Sequence, residues 1–364
     1  MLIFVILSFV SIMFVSVASI YKTAAYVMPL PKPKRLILSV VLLVLLASYG
    51  IFVSDKVLAF LINYVIYFWL FQCIFILFRF PYLKRINPFE SDSFKRVFAV
   101  FLAGFTFIAT VCGCINAKNI NLTTYTKTVY GKNFEDKTIL FLSDIHADSH
   151  NSDHIIKAIT ASAESQNSDV VIIGGDLADN ETTKNEIDRF AEVFENICQN
   201  ICPVVFVLGN HDIMPSKNAD TAYIINKLES AGVKVLADTV YDLGGITLIG
   251  RTESYAEHFG HIRKSIADFE FDKSKPTIVI DHQPLELDKL KNAKIDLSLS
   301  GHTHDGQIFP FGTLSGILGF NEMQYGRRDS ENYTAIVSSG IGTWGMGMRT
   351  QNKCEIVKIM LKCG

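Results

Sequence analysis

Five short blocks of this sequence hold residues able to grip a metal: Asp144-Ile145-His146, Gly175-Asp176, Gly209-Asn210-His211-Asp212, His282, and Gly301-His302-Thr303-His304. Carboxylates, imidazoles and an amide oxygen, each following an apolar run, suit a pair of divalent cations held side by side. Two metals so placed are suited to hydrolysing phosphate esters and anhydrides. A mixed nitrogen and oxygen set favours manganese, iron or zinc over magnesium.

Each block contributes differently. Asp144 and His146 are two apart and share a face of an extended chain, so a strand end offers one oxygen and one nitrogen to the same ion. Asp176 has two carboxylate oxygens and can bridge two ions. Asn210 offers an oxygen without adding charge. His302 and His304 share a face if extended, whereas a loop sends them to different metals. Taken singly the motifs are weak, since Asp-x-His recurs by chance and Gly-Asp is an ordinary turn. As an ordered set they are hard to assign to packing: five of the nine histidines follow strand-like runs beside a glycine or an acid.

The elements that must position these residues read as alternating strand and helix. Apolar runs predict strands over 138–143, 169–174, 203–208, 276–280 and 296–300, each ending in one of the blocks. Helical periodicity falls over 153–164, 184–198 and 219–231. Shorter β pieces follow at 233–237, 239–243 and 246–250, and 333–338 and 354–361 alternate like antiparallel strands. That order argues for buried, partly parallel sheet, with the blocks at strand C-terminal ends where α/β proteins gather their sites.

The front of the chain differs in kind. The sequence is 49% hydrophobic with a mean hydropathy of +0.28, and the apolar character is concentrated in runs at about 1–20, 36–54, 57–79 and 97–116. Each is near the ~20 residues of a membrane helix. The expected organisation is a transmembrane region over 1–117, a polar connector over 118–137 and a catalytic domain over 138–364. No basic segment precedes the first run and no small-x-small cleavage site follows it, so it reads as a retained helix. The first connection holds Lys22, Lys32, Lys34 and Arg35, and the third holds Arg79, Lys84, Arg85, Lys95 and Arg96 against Glu90 and Asp92. Basic connections mark the cytoplasmic side, which puts the catalytic domain on the extracellular face of the cell membrane. From residue 118 onward, 24 Lys and Arg stand against 33 Asp and Glu, a net of −9. That balance excludes nucleic acid as a natural partner. Cys198, Cys202, Cys354 and Cys363 form no CxxC pattern.

The ordered blocks resemble the calcineurin-like metallophosphoesterase superfamily, whose pattern of DxH, GD, GNH(D/E), H and GHxH is matched in sequence over about 137–362. The resemblance implies an α/β fold, a four-layer α/β/β/α sandwich, preceded here by the four-helix transmembrane region. It implies two divalent metal ions: Asp144, His146 and His304 on the first, Asn210, His282 and His302 on the second, and Asp176 bridging. By the same resemblance His211 is catalytic, contacting the substrate phosphate or protonating the leaving oxygen, with Asp212 orienting it. Ser143-Asp-Ile-His146, Asp281-His-Gln-Pro284, Gly301-His-Thr-His-Asp-Gly-Gln307 and Ser338-Ser-Gly-Ile-Gly-Thr-Trp344 are most similar to the bacterial membrane-associated, YkuE-like branch. That branch usually reads GHTHGGQ; Asp305 here adds a carboxylate beside the site. No arginine precedes Gly209, unlike in protein phosphatases, which argues against phosphoprotein substrates.

These readings lead to a membrane-anchored hydrolase using metal-activated hydroxide on a phosphorylated small molecule or a lipid-linked phosphate, such as a UDP-2,3-diacylglucosamine-like lipid or another phospholipid. The alternative is a non-hydrolytic membrane sensor or scaffold built on the same shell. Arg251, His258, His261 and Arg263 either meet an anionic substrate or form a solvated face. Arg327, Arg328 and Arg349 are weaker candidates. Trp344, in a glycine-rich loop, either walls the site or sits at the membrane surface.

Overall fold

Runs such as Val170-Val171-Ile172-Ile173 and Val204-Val205-Phe206-Val207 carry a branched or aromatic side chain at every position, as strands covered on both faces require. A computed structural model shows how they assemble; it describes residues 2–52, 55–82, 89, 91–131, 134–148, 152–214 and 218–364. Lys84, Arg85 and Glu90 of the third basic connection, and residues 1, 53 and 54 of the apolar runs, lie outside the described residues. Contacts divide the chain into two units, Met1–Cys114 and Ile115–Gly364.

The first unit is helical: α1 (Leu2–Val27), α2 (Lys32–Phe52), α3 (Asp55–Tyr82) and α4 (Asp92–Asn116). Tyr67 and Phe68 of α3 bury against Phe98 and Leu102 of α4, and Ile20, Leu43 and Leu61 join α1, α2 and α3. Buried Asn63 donates from Nδ2 to Thr110 Oγ1 at 2.9 Å. Large apolar side chains also face outward, among them Ile76, Val97 and Val100. The sequence led to an expectation of four membrane spans. Among the described residues, two helices, Lys56–Leu77 and Asp92–Asn116, are long and apolar enough to cross a membrane. The apolar stretch Ser11–Val27 is shorter, and α2 opens with Lys32, Lys34 and Arg35 in its first turn.

The second unit is mixed α/β with two six-stranded sheets. Its elements are β1 (Ile120–Val129), β2 (Lys137–Leu142), α5 (Ser152–Ser165), β3 (Val170–Ile173), α6 (Lys184–Asn200), β4 (Val204–Val207), α7 (Asn210–Ile213), α8 (Thr221–Ser230), β5 (Lys234–Leu236), β6 (Thr239–Asp242), β7 (Thr247–Gly250), β8 (Thr277–Ile280), α9 (Leu287–Asn292), β9 (Leu297–Ser300), α10 (Phe311–Leu318), β10 (Gly326–Ser330), β11 (Tyr333–Val337) and β12 (Cys354–Cys363). One sheet runs β1-β12-β2-β3-β4-β5 and the other β10-β11-β9-β8-β7-β6. Neighbours from β2 to β5 and from β7 through β9 to β11 are parallel.

Strand alternation sorts the core. Ile139, Phe141, Ile172 and Val205 meet Leu248, Ile280 and Leu299 of the facing sheet. Leu140, Leu142, Ile173 and Phe206 turn instead toward Ile155 and Ile159 of α5 and Phe190 and Phe194 of α6. On the outer face of the second sheet, Val279 and Val337 pack with Leu287 and Leu290 of α9. Truncating a residue such as fully buried Phe141 to Ala would cost about 3–5 kcal/mol. Helix starts are fixed locally: the Thr183 side chain accepts from Glu186 N, and that of Asp220 accepts from Tyr223 N.

One expectation needs correction and another needs completing. The connector expected over 118–137 contains β1, which pairs in parallel with β12 through Ile120–Val129. Its threonine-rich, half-buried face gave only a weak apolar alternation. The last strands have the antiparallel neighbours their alternation suggests, β10 for β11 and β2 for β12, but each also has a parallel neighbour, β9 for β11 and β1 for β12.

Candidate metal centre

The parallel strands β2, β3, β4, β8 and β9 all end on one side, so the loops after them converge. Each bends sharply to do so. Asp144, His146, Asp176, His302 and His304 all have positive φ, between 45° and 69°. Non-glycine residues there cost of order 1–3 kcal/mol each and cluster where function holds them. Close packing enforces the same geometry. Gly175 has φ 95°, and a Cβ on it would meet His282 Nδ1 at 2.6 Å. A Cβ on Gly209 would run into the backbone N and Oδ1 of Asp176.

The buried side chains form two adjoining groups. In the first, His146 Nε2 lies 3.0 Å from His304 Nε2, which is 3.4 Å from Asp144 Oδ1. In the second, His282 Nε2 lies 3.1 Å from both Asp176 Oδ2 and Asn210 Oδ1, and His302 Nδ1 lies 2.8 Å from Asn210 Oδ1. Asp176 Oδ2 also reaches to 3.8 Å from His146 Nε2, so one carboxylate faces both groups. Asp144, His146 and His304, and Asp176, His282 and His302, are each arranged so that they could hold a metal ion.

Hydrogen-bond chemistry supports a cation there. The His282 Nδ1–H donates to Gly174 O at 2.8 Å, which leaves the Nε2 lone pair pointing at two oxygen acceptors. Acceptors converging without a donor call for positive charge. The titration of His282 expresses the same demand: burial pushes it down, but the charges of Asp176 and Asp144 raise it to about 10. Burial lowers His302 to about 4 and takes His304 well below its ordinary value. Burial raises Asp144. For Asp176, burial is outweighed by His282 and His146, which hold the carboxyl low. The residues present therefore fit divalent ions.

Around these groups lie residues that fix them. Asp212 is buried, and its Oδ2 accepts from Asp176 N and Gly209 N, both at 2.8 Å, while Oδ1 accepts from Ala178 N at 2.9 Å. Burial and the neighbouring Asp176 charge raise its carboxyl to about 7. Asp212 was expected to orient the His211 ring. Both its oxygens instead hold backbone, and His211 Nδ1 is buried without a hydrogen-bond partner. His211 donates its backbone N–H to Asp176 Oδ1 at 2.9 Å, and its ring lies 5.1 Å from that of His146 and 6.0 Å from the Trp344 ring. Trp344 thus walls the site, its backbone clamped by Gln307 through bonds of 2.9 and 3.0 Å.

Residues 137–306 match the family described as "Calcineurin-like phosphoesterase". These residues form a calcineurin-like metallophosphoesterase domain. An uncharacterized metallophosphoesterase of Helicobacter pylori (strain J99) is 33% identical over 227 residues, covering 61% of this chain and 59% of the relative. A counterpart in Campylobacter jejuni is 31% identical, covering 63% of this chain and 60% of that protein. A "Transmembrane protein with metallophosphoesterase domain" from Danio rerio is 28% identical over 320 residues, covering 79% and 70%. The chain thus spans about three-fifths of the length of its first curated relatives.

The metallophosphoesterase domain holds further polar residues that sequence reasoning undervalued or missed. Arg251 was read as facing substrate or solvent, but it is 1% exposed. It pairs with Asp281 at 3.3 Å and Glu286 at 2.8 Å, and Arg263 also grips Asp281. This cluster anchors the residue next to His282. His258 and His261 are exposed. Arg349 is fully buried, donates to Gly342 O at 2.6 Å, and lies 3.1 Å from His304 Nδ1. Asp179, not anticipated, lies 3.6 Å from His146 Nδ1; its signal in the sequence was only its place three residues after Asp176. Asp305, which follows His304 directly, is half-buried with Gln351 Nε2 at 3.4 Å from its Oδ1.

Proposed function

We propose that the chain is a membrane-anchored hydrolase of phosphate esters or pyrophosphates, with Asp144, His146 and His304 holding one divalent ion, Asn210, His282 and His302 a second, and Asp176 bridging. The observation that carries this reading is the pair of adjoining ligand groups sharing the Asp176 carboxylate. Manganese, iron or zinc suits such a mixed donor set. When bound, such ions supply Lewis-acid activation of water and neutralise charge developing on the phosphoryl oxygens. The chain's own residues do the rest. Asp212 holds the Asp176 backbone in place, and the Gly174 carbonyl fixes the His282 ring. His211 offers a hydrogen bond to the phosphoryl group and a proton to the leaving oxygen. Trp344 limits access of water to that side.

The catalytic unit is read as an α/β/β/α sandwich on the extracellular face, and its substrate as a lipid-linked phosphate. The basic residues Lys22, Lys32, Lys34 and Arg35 support that orientation, and apolar helices α3 and α4 support membrane anchorage. Relatives from Danio rerio and Bos taurus carry "transmembrane" in their names. The test is hydrolysis of bis-p-nitrophenyl phosphate by the full-length protein with Mn²⁺, wild type against Asp176→Asn. Turnover that needs metal and is lost in the variant is expected. Bound metal without turnover would refute the reading. Protection of residues 140–360 from external protease in intact cells would refute the outward orientation.

A further inference from the structure

From Gln307 to Asn321, immediately after the last ligand block, the chain carries no charged side chain. Within this stretch Ile317, Phe320, Leu318 and Phe311 are 75%, 74%, 62% and 50% exposed. Contiguous large apolar side chains on a surface mark a place where something apolar binds. The same segment walls a cavity of about 520 Å³, a size ordinary for small-molecule sites. One end of the cavity is His302 and Thr303, and Phe311, Leu314, Leu318 and Phe320 form its apolar walls.

Several of its polar lining atoms are already engaged with one another. Thr303 Oγ1 donates to Gln324 O at 2.6 Å, and Asn321 Nδ2 donates to Gln324 Oε1 at 2.9 Å and lies 3.4 Å from Ser315 Oγ. The walls are mainly apolar, and no acidic, lysine or arginine side chain lines the cavity to meet a second charged group. His302 belongs both to this cavity and to the candidate metal centre, where its Nδ1 faces Asn210. A molecule with its phosphate at the centre therefore continues along a hydrocarbon-like path.

We infer that this cavity holds the acyl or alkyl chain of an amphiphilic phosphate ester, with α10 as the rest for its first methylenes. The inference rests on the phosphoesterase reading and gives its amphiphilic substrate a binding site for the chain. The test uses the full-length Mn²⁺-loaded protein in nanodiscs, with empty nanodiscs as blank. Hydrolysis of alkyl p-nitrophenyl phosphates from methyl to decyl is measured, alongside calorimetric binding of the matching alkylphosphonates. For wild type, kcat/KM and affinity should both rise about two- to fourfold per added methylene until the cavity is filled. Leu314→Asp and Leu318→Asp, on exposed positions, should flatten both series. Flat series in a protein that turns over the methyl ester would overturn the inference. So would a chain-length dependence that both variants retain, since the chain would then rest in the bilayer rather than on α10. Failure of even the methyl ester would defeat the phosphoesterase reading, while the phosphonate series would still decide what the cavity binds.

Discussion

Replacing Asp212 isolates what holds the bridging carboxylate in place. Its two oxygens satisfy three buried backbone N–H groups, those of Asp176, Gly209 and Ala178. Asp212→Asn keeps one acceptor oxygen. With that oxygen serving Asp176 and Gly209, the new amide NH₂ faces Ala178 N–H, donor against donor. One buried orphan donor costs about 1–3 kcal/mol, so a loss of about 2 kcal/mol is expected. In a unit of this size that lowers Tm by roughly 4–8 °C. Asp212→Ala strands all three donors and should lose roughly three times as much. Hydrogen exchange read by mass spectrometry gives the local view: amides over 176–178 should exchange about 30-fold faster in the Asn variant. Hydrolysis should fall in both variants because Asp176 is no longer pinned. Unchanged exchange and Tm, with activity lost through an altered pH profile alone, would refute this reasoning and return Asp212 to a role on the His211 ring.

Four further outcomes follow. His211→Ala should lower kcat by about 10²–10⁴-fold with metal content by mass spectrometry unchanged, because its ring lies outside both ligand groups. Removing metal with a chelator should lower Tm, and Mn²⁺ should restore it, since buried Asp144 and Asp176 then lose their counter-charge. Gly209→Ala should destabilise by about 1–3 kcal/mol in thermal unfolding, because the added methyl collides with Asp176. Glu286 is held down at about 2, chiefly by Lys289, with Arg251 adding to the effect. Its contribution is therefore present above the ordinary value of 4.5 and disappears as pH falls toward 2. Glu286→Gln should narrow the gap between Tm at pH 5 and at pH 2.5.

Much of the site was legible because each ligand block ends a short strand rich in apolar residues, and such runs announce themselves without an alignment. Gly174-Gly175-Asp176 and Gly209-Asn210-His211 also carry the small residues that the crowded turns demand. Other features were hidden for physical reasons. The threonines of β1 present no apolar period, so its pairing with β12 reads as connector. Arg251 and Arg349 look like surface charges until the fold buries them against Asp281 and His304, some tens of residues away. The positive φ of Asp144 and His146 leaves no mark on residue type. The exposure of α10 was equally invisible, since an apolar octapeptide reads as core unless its surroundings are known.

In the proposed centre one carboxylate, Asp176, joins two metal sites. Electron paramagnetic resonance of the full-length protein loaded with Mn²⁺, with metal counted per chain, tests it directly. Two manganese ions per chain with an exchange-coupled multiline spectrum, lost in Asp176→Ala, is the expected result. A single ion per chain, or an isolated six-line signal unchanged in Asp176→Ala, would contradict it.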